Sequence, residues 1–281
     1  MREIWKDDLS QKGRVEATSN GCCKDNDLIK PLSSKGYYYI KIIALICMLI
    51  DHIPKTMKVE DTNTIYLGMT AIGRIAFPLF CYELVQCFHF CKNKRTHLAK
   101  LFILAMVSEP LFDLAFYKTF CYWEHQNVCF ELLIGWLCLY IWNIPLFNRH
   151  ICWFDNIGNI LMKIGLCFPL IIIAEFTHCD YGACGIGLII LFEISYSLWD
   201  KEFIGDIISI IIFIILEGLL HQDIYVFIYC FCLADIGIIY HFRYKYIPLK
   251  IKPLNKALRL FYAYFYPLHL LVLIGIYYLF K

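Results

Sequence analysis

The sequence predicts an all-α fold, a polytopic bundle of about nine transmembrane helices, each built from the ~20 apolar residues that a hydrocarbon core requires. Three observations predict it. Of 281 residues, 60% are hydrophobic and 18% charged, whereas soluble domains sit near ~45–50% apolar and ~25% charged. Apolar runs of span length recur from residue 37 to residue 280. Lysine and arginine concentrate in alternate connections, as they do when one side of a membrane retains positive charge.

Residues 1–36 are polar and of mixed sign, without the apolar core behind a basic start that marks a secretory signal. They are expected to form a disordered cytoplasmic tail ahead of a single transmembrane domain over 37–281. The first span, 37–54, opens as an unbroken apolar helix and places Asp51 and His52 near its far end. A charge at the centre of a span costs about 2.5–3.5 kcal/mol. The pair therefore marks either a site or the exit into water, and position alone leaves both open.

Span two, 65–90, carries Arg74 inside the apolar run AIGRIAFPLF. Span three, 98–117, holds Glu109 and Asp113, which share a helical face because they are four residues apart. Span four, 127–147, opens with Asn127 and has Glu131 one turn further in. Span five, 159–176, contains Pro169, and span six, 182–199, is entered through Gly182, Gly185 and Gly187, so both are expected to be short or irregular. His178, Asp180 and Tyr181 occupy the connection between them. Glu193, in span six, and Glu217 and Asp235, in spans 203–220 and 224–241, are expected to satisfy other buried polar groups. The last span, 260–280, has His269 near its middle. A lone imidazole there is more often a packing residue, and Pro267 opens the backbone ladder to offer it an acceptor.

Orientation follows from the connections. The segment 91–100 carries Lys92, Lys94, Arg95 and Lys100, and 242–259 carries Arg243, Lys245, Lys250, Lys252, Lys256 and Arg259. The opposite connections, 55–64, 118–126, 177–181 and 221–223, hold only Lys55, Lys58 and Lys118. The tail is then cytoplasmic and Lys281 external. Carboxylates and histidines gather on the outer half, while the inner ends offer mainly lysine and arginine. That asymmetry predicts a polar cavity open to the outside.

Several chemistries are disfavoured. Most of the fifteen cysteines lie inside spans, among them Cys47, Cys81, Cys138 and Cys232, and act as small hydrophobes. The spacing of Cys81, Cys87 and Cys91 is no zinc pattern, so no metal is expected. Cys121 and Cys179 share the outer side, which leaves one disulfide open. No basic surface interleaved with stacking aromatics points to nucleic acid, and no Walker A, G-x-S-x-G, Ser-x-x-Lys or dinucleotide fingerprint occurs.

A buried Arg74 needs a counter-charge from Asp51, Glu109 or Asp113. It then either ties two helices together or offers its planar fork to a phosphate or carboxylate. Asp51 and His52 diverge as helical neighbours. A carboxylate from another span, such as Asp113, is therefore expected to orient His52 as a general base.

The fragments MLIDHI at 48–53, GRIAFPLFCYELVQCF at 73–88, LAMVSEPLFDLAF at 104–116, NVCFELLIG at 127–135, DYGACGIGLIILF at 180–192 and YPLHLLVL at 266–273 together resemble the TraX family. That family takes its name from a conjugal-transfer protein that acetylates the N-terminus of pilin. The resemblance implies a multi-pass acyltransferase of the bacterial cytoplasmic membrane. It would move an acetyl group from acetyl-CoA to an amine or hydroxyl of a pilin-like peptide or an envelope glycan, with basic inner connections holding the CoA phosphates. His52, Asp51 and Arg74 are the expected catalytic groups. Glu109, Asp113, Asn127, Glu131, His178, Asp180, Tyr181 and His269 are expected to line the substrate site. The chain departs from the pattern at Pro54, where glycine is expected, and at Ala183-Cys184, which leaves the acceptor open. A transporter with a buried charged pathway and a non-enzymatic envelope assembly factor are the alternatives, because polar clusters serve all three.

Overall fold

The computed structural model describes residues 34–144, 153–198, 202–220, 228–243 and 256–281. Most of the tail, the ends of spans four and six, the connection 221–227 and most of 242–259 lie outside the described residues. Among the described residues ten α-helices follow one another: α1 Ser34–Thr56, α2 Thr64–Gly73, α3 Ala76–Phe90, α4 Lys94–Phe116, α5 Val128–Trp142, α6 Trp153–Phe176, α7 Gly182–Leu198, α8 Glu202–Leu220, α9 Leu233–Arg243 and α10 Lys256–Leu279. A 3₁₀ turn, Cys230–Cys232, leads into α9. No strand occurs among the described residues, and α2 and α3 are halves of one span, so the helices account for the nine spans expected.

Helices α2–α3 together, α6, α8 and α10 contain runs long and apolar enough to cross a membrane, and α5 and α7 are shorter apolar helices. The outer surface of α8 explains why lipid must cover it. Ile204, Ile208, Ile211, Ile215 and Leu219 form an exposed stripe at helical spacing, opposite the buried Ile210 and Phe213. Water would leave that stripe unfavourably solvated, whereas hydrocarbon matches it. The chain is a multi-pass membrane protein in a lipid bilayer.

Two apolar cores meet at α1. The larger gathers Phe77, Leu79 and Tyr82 of α3, Trp136 of α5, Ile186 and Phe192 of α7 and Phe213 of α8, with Ile40 and Ala44 of α1 against it. The smaller joins Leu45 and Met48 of α1 to Phe112, Ala115 and Phe116 of α4 and to Tyr266, Leu270 and Ile274 of α10. Helix α1 accordingly touches α2, α3, α4, α9 and α10. Successive residues on it turn by about 100°, so neighbours such as Asp51 and His52 serve different interfaces.

The break between α2 and α3 has a local cause. Pro78 lacks the N–H that would bond the Arg74 carbonyl in a continuous helix. That carbonyl instead accepts the Cys232 thiol at 3.3 Å. The ladder tightens just before it, with the Ile75 N–H donating to the Ile72 carbonyl at 3.2 Å. Arg74 therefore sits at a joint, between two half-helices.

Candidate polar site at the outer ends of the helices

The helix ends that the lysine and arginine count assigns to the outer side come together in the structure. His52 and Asp51, at 7% and 8% exposure, both lie inside the protein. Asp51 turns toward α2, and its carboxylate takes the Lys55 ammonium at 2.5 Å, one turn further along α1. Its Cβ lies so close to Gly73 that a side chain there would overlap it. Glycine at position 73 is thus what lets α1 and α2 approach at the acid. Lys55 went unremarked as a partner, although its spacing from Asp51 is the ion-pair spacing of a helix.

His52 turns the other way. Its Nδ1 lies 2.7 Å from Nε2 of His269 on α10, and the rings of Phe116, Tyr266 and His269 pack around it. Nδ1 of His269 lies 2.9 Å from the Phe265 carbonyl. Two expectations are corrected here. The group that orients His52 is an imidazole from the last span, not a carboxylate, because the Asp113 carboxylate accepts the Tyr122 backbone N–H at 2.8 Å and pins the 117–127 connection. The acceptor of His269 is the carbonyl four residues earlier, whereas Pro267 frees the carbonyl of Ala263.

Arg74 finds aromatic partners where a carboxylate was expected. Its Nη1 donates to the Tyr181 hydroxyl at 3.2 Å. Its guanidinium lies 5.6 Å and 5.2 Å from the ring centroids of Tyr181 and Tyr229, a cation–π arrangement that retains the charge in a low-dielectric setting. Asp51 and Asp180 act on it at longer electrostatic range, and Arg74 and Lys55 act likewise on His52. Tyr181 stacks on Phe77 at 3.8 Å. Tyr229 bonds to Glu217, a partner that spacing gave no means of finding.

The remaining expected residues are brought near but hold structure. Glu109 accepts the backbone N–H of Asn127 at 3.1 Å and also its side-chain amide, while Asn127 caps α5 by accepting from the Cys129 N–H at 2.9 Å. Glu131 accepts the Tyr181 backbone N–H at 3.0 Å through Oε2; its Oε1 abuts Gly185 without a hydrogen-bond partner. Asp180 faces His125 at 3.6 Å on the partly exposed rim. His178 is exposed, with left-handed backbone at φ 50° and its carbonyl accepting from the Gln126 N–H at 3.1 Å. Its side chain is not part of the cluster. Cys121 is exposed and Cys179 is buried with its thiol 3.4 Å from the Thr177 hydroxyl; both are free thiols.

The inner half is less bare of acids than its loops suggested. Glu193 on α7 is bonded to His89 at 2.7 Å, to Asn143 at 2.9 Å and to Ser197 at 3.2 Å. Asp206 accepts from Ser195 at 2.9 Å and lies 3.9 Å from Arg243, whose guanidinium also bonds to Tyr82. Arg243 is therefore committed to a structural network and is unavailable to a soluble anion. An open apolar groove of about 330 Å³, lined by Arg95, Leu98, Ala99, Phe102, Leu133 and Leu137, lies between α4 and α5. Among the described residues no cluster of three or more His, Cys, Asp or Glu has the geometry to hold a metal ion.

A model of the TraX protein family matches residues 37–277, nearly the whole membrane domain. The chain is also 26% identical over 157 residues to the probable fimbrial assembly protein FimC, serogroup H1, of Dichelobacter nodosus. That match takes in 52% of this chain and 56% of the relative, so the chain spans little more than half of that protein's length. No solved structure matches the chain.

Proposed function

The chain belongs to the TraX family, and from that premise we propose that it is a membrane-embedded acetyltransferase. It would move an acetyl group from acetyl-CoA to an amine or hydroxyl of a pilin-like peptide or another envelope acceptor. One observation carries this reading: a buried imidazole held by a second imidazole, with a guanidinium in electrostatic range at the joint of a broken span. The likeness to a protein named for fimbrial assembly supports a peptide acceptor in a pilus-related process.

In this reaction the acceptor nitrogen or oxygen attacks the thioester carbonyl. His52 takes the acceptor's proton, the carbonyl oxygen gains negative charge, and collapse breaks the C–S bond. The same proton then passes to the departing thiolate, so the imidazole ends as it began. Arg74 supplies positive charge for the oxyanion; removing such a donor typically costs about 10²–10³ in kcat. Asp51 and Lys55 neutralise one another beside the base. Lys92, Lys94, Arg95 and Lys100 at the inner α3–α4 turn are the described cations that suit the CoA phosphates.

The test is reconstitution in vesicles with labelled acetyl-CoA and a synthetic pilin-like peptide. Label should reach the acceptor in the wild type and fall at least about 10²-fold in His52→Ala and Arg74→Ala. Unchanged transfer in folded variants removes both residues from the chemistry. Label-free flux of a solute across the vesicle would favour a transporter instead. Co-purification with a pilus component that survives His52→Ala would favour an assembly factor.

A further inference from the structure

The hydrogen bonds of the two imidazoles fix which nitrogen of His52 is the base. A carbonyl oxygen only accepts, so the 2.9 Å contact between His269 Nδ1 and the Phe265 carbonyl places a hydrogen on that Nδ1. In the neutral ring Nε2 is then a lone-pair acceptor. It faces His52 Nδ1 at 2.7 Å, so His52 Nδ1 must donate. Nε2 of His52 is left as the bare, basic nitrogen.

We infer that His269 is the positioning residue of the His52 base, anchoring it in the Nδ1–H tautomer through a carbonyl–imidazole–imidazole chain. The inference deepens the acetyl-transfer reading and rests on it for its kinetic consequence only. An imidazole suits this place better than a carboxylate. The resting pair is neutral and avoids the cost of an extra charge within the span. When Nε2 of His52 accepts a proton, its Nδ1–H donates from a cation and the bond to His269 strengthens. The aromatic edges of Phe116 and Tyr266 keep both rings in place. The charged groups facing the pair are Lys55 on α1 and Arg74 at the α2–α3 joint. Asp51, the adjacent residue, is turned against Gly73 and held by Lys55.

The experiment is ¹⁵N NMR of histidine-labelled protein in nanodiscs, with the His52 signals assigned by loss in His52→Gln. His52 should show a protonated Nδ1 and a bare Nε2 in the wild type. In His269→Phe, which keeps a ring and removes the acceptor, His52 should pass toward the Nε2–H tautomer. In His269→Gln, whose amide oxygen accepts near the same point, the Nδ1–H tautomer should persist. Transfer from acetyl-CoA should follow the same order: kcat falls about 10²-fold in His269→Phe with KM for the donor unchanged, and most of it returns in His269→Gln. A wild-type His52 in the Nε2–H form, or a tautomer indifferent to His269→Phe, overturns the inference. If no variant or wild type transfers acetyl while the tautomer shifts as stated, the pairing stands and the acetyltransferase reading falls. Equal kcat in the Phe and Gln variants removes the positioning role even where the tautomer shifts.

Discussion

Lys58 and Lys118 each close the helix that the other follows. Lys58, just beyond α1, donates to the Phe116 carbonyl of α4 at 2.5 Å; Lys118, just beyond α4, donates to the Thr56 carbonyl of α1 at 2.9 Å and to Ala115 at 2.8 Å. Both occupy left-handed backbone, φ 57° and 61°, the position where glycine usually ends a helix. A side chain there costs about 1–2 kcal/mol. The exchanged ammonium groups offset that cost by satisfying orphan carbonyls and the negative helix ends. The swap fixes the outer ends of α1 and α4 side by side, which sets His52 against Phe116.

Lys118→Met should therefore lower the melting temperature of the detergent-solubilised protein and reduce acetyl transfer together. The pH dependence tests the ammonium itself. Burial, with Lys58 and Lys281 nearby, lowers the Lys118 pKa to about 8, against ~10.4 for a free lysine. Between those values the unfolded chain binds the proton and the folded chain does not, so stability gains from this group as pH rises through the window. The difference in melting temperature between wild type and Lys118→Met should widen from pH 8 to about pH 10. A difference that stays flat or shrinks contradicts the shifted lysine.

Pro78→Ala restores the donor that the Arg74 carbonyl lacks. In the first turn of α3 proline costs little, so melting temperature should hold or rise as the restored N–H bonds the Arg74 carbonyl and the joint straightens. Arg74 would then leave the Tyr181 hydroxyl and the Tyr229 face, and transfer should fall as in Arg74→Ala. A more stable variant with full activity would show that the break is dispensable.

Gly185→Ala should destabilise the protein by crowding the cluster. The new Cβ meets the Glu131 carboxylate and the Phe77 ring, at 2.7 Å from Cζ, and Glu131 is fully buried. Overpacking of this kind costs about 1–3 kcal/mol. Thermal melts should show that loss, and Gly187→Ala, which meets nothing within 4 Å, serves as the neutral control.

Asn127→Asp separates the cap from the pair. Aspartate still caps α5, because the oxygen that accepts from Cys129 is retained, but Glu109 loses the amide donor and faces a second carboxylate. Stability should fall by about 1–3 kcal/mol. Glu109→Gln in the Asn127→Asp background should restore most of it by returning a donor. Absence of rescue would mean that the two side chains do not depend on each other.

Much of the site was legible because membrane insertion penalises every ionisable group it admits. His52, Asp51 and Arg74 stood out for that reason, and the outer-side gathering followed from the lysine and arginine count. The pairings were not legible. His52 and His269 are 217 residues apart, and a lone imidazole in an aromatic helix gives no sign of its partner. Asp113 and Glu109 look like orienting acids on one helix face, yet a backbone N–H and an asparagine take them. Glu193 and Asp206 show why an inner end rich in basic loops can still bury acids: their partners, His89 and Arg243, come from other helices.

What the sequence by itself determined is the solvent, the helical class and the order of spans. Those depend on local run length and on charges beside each run, which lipid reads one segment at a time. Only the tertiary structure decided the rotation of each helix about its axis. A turn of about 100° per residue sends Asp51 to Gly73 and His52 to His269. Packing against five neighbours, not any property of α1 alone, selects that angle.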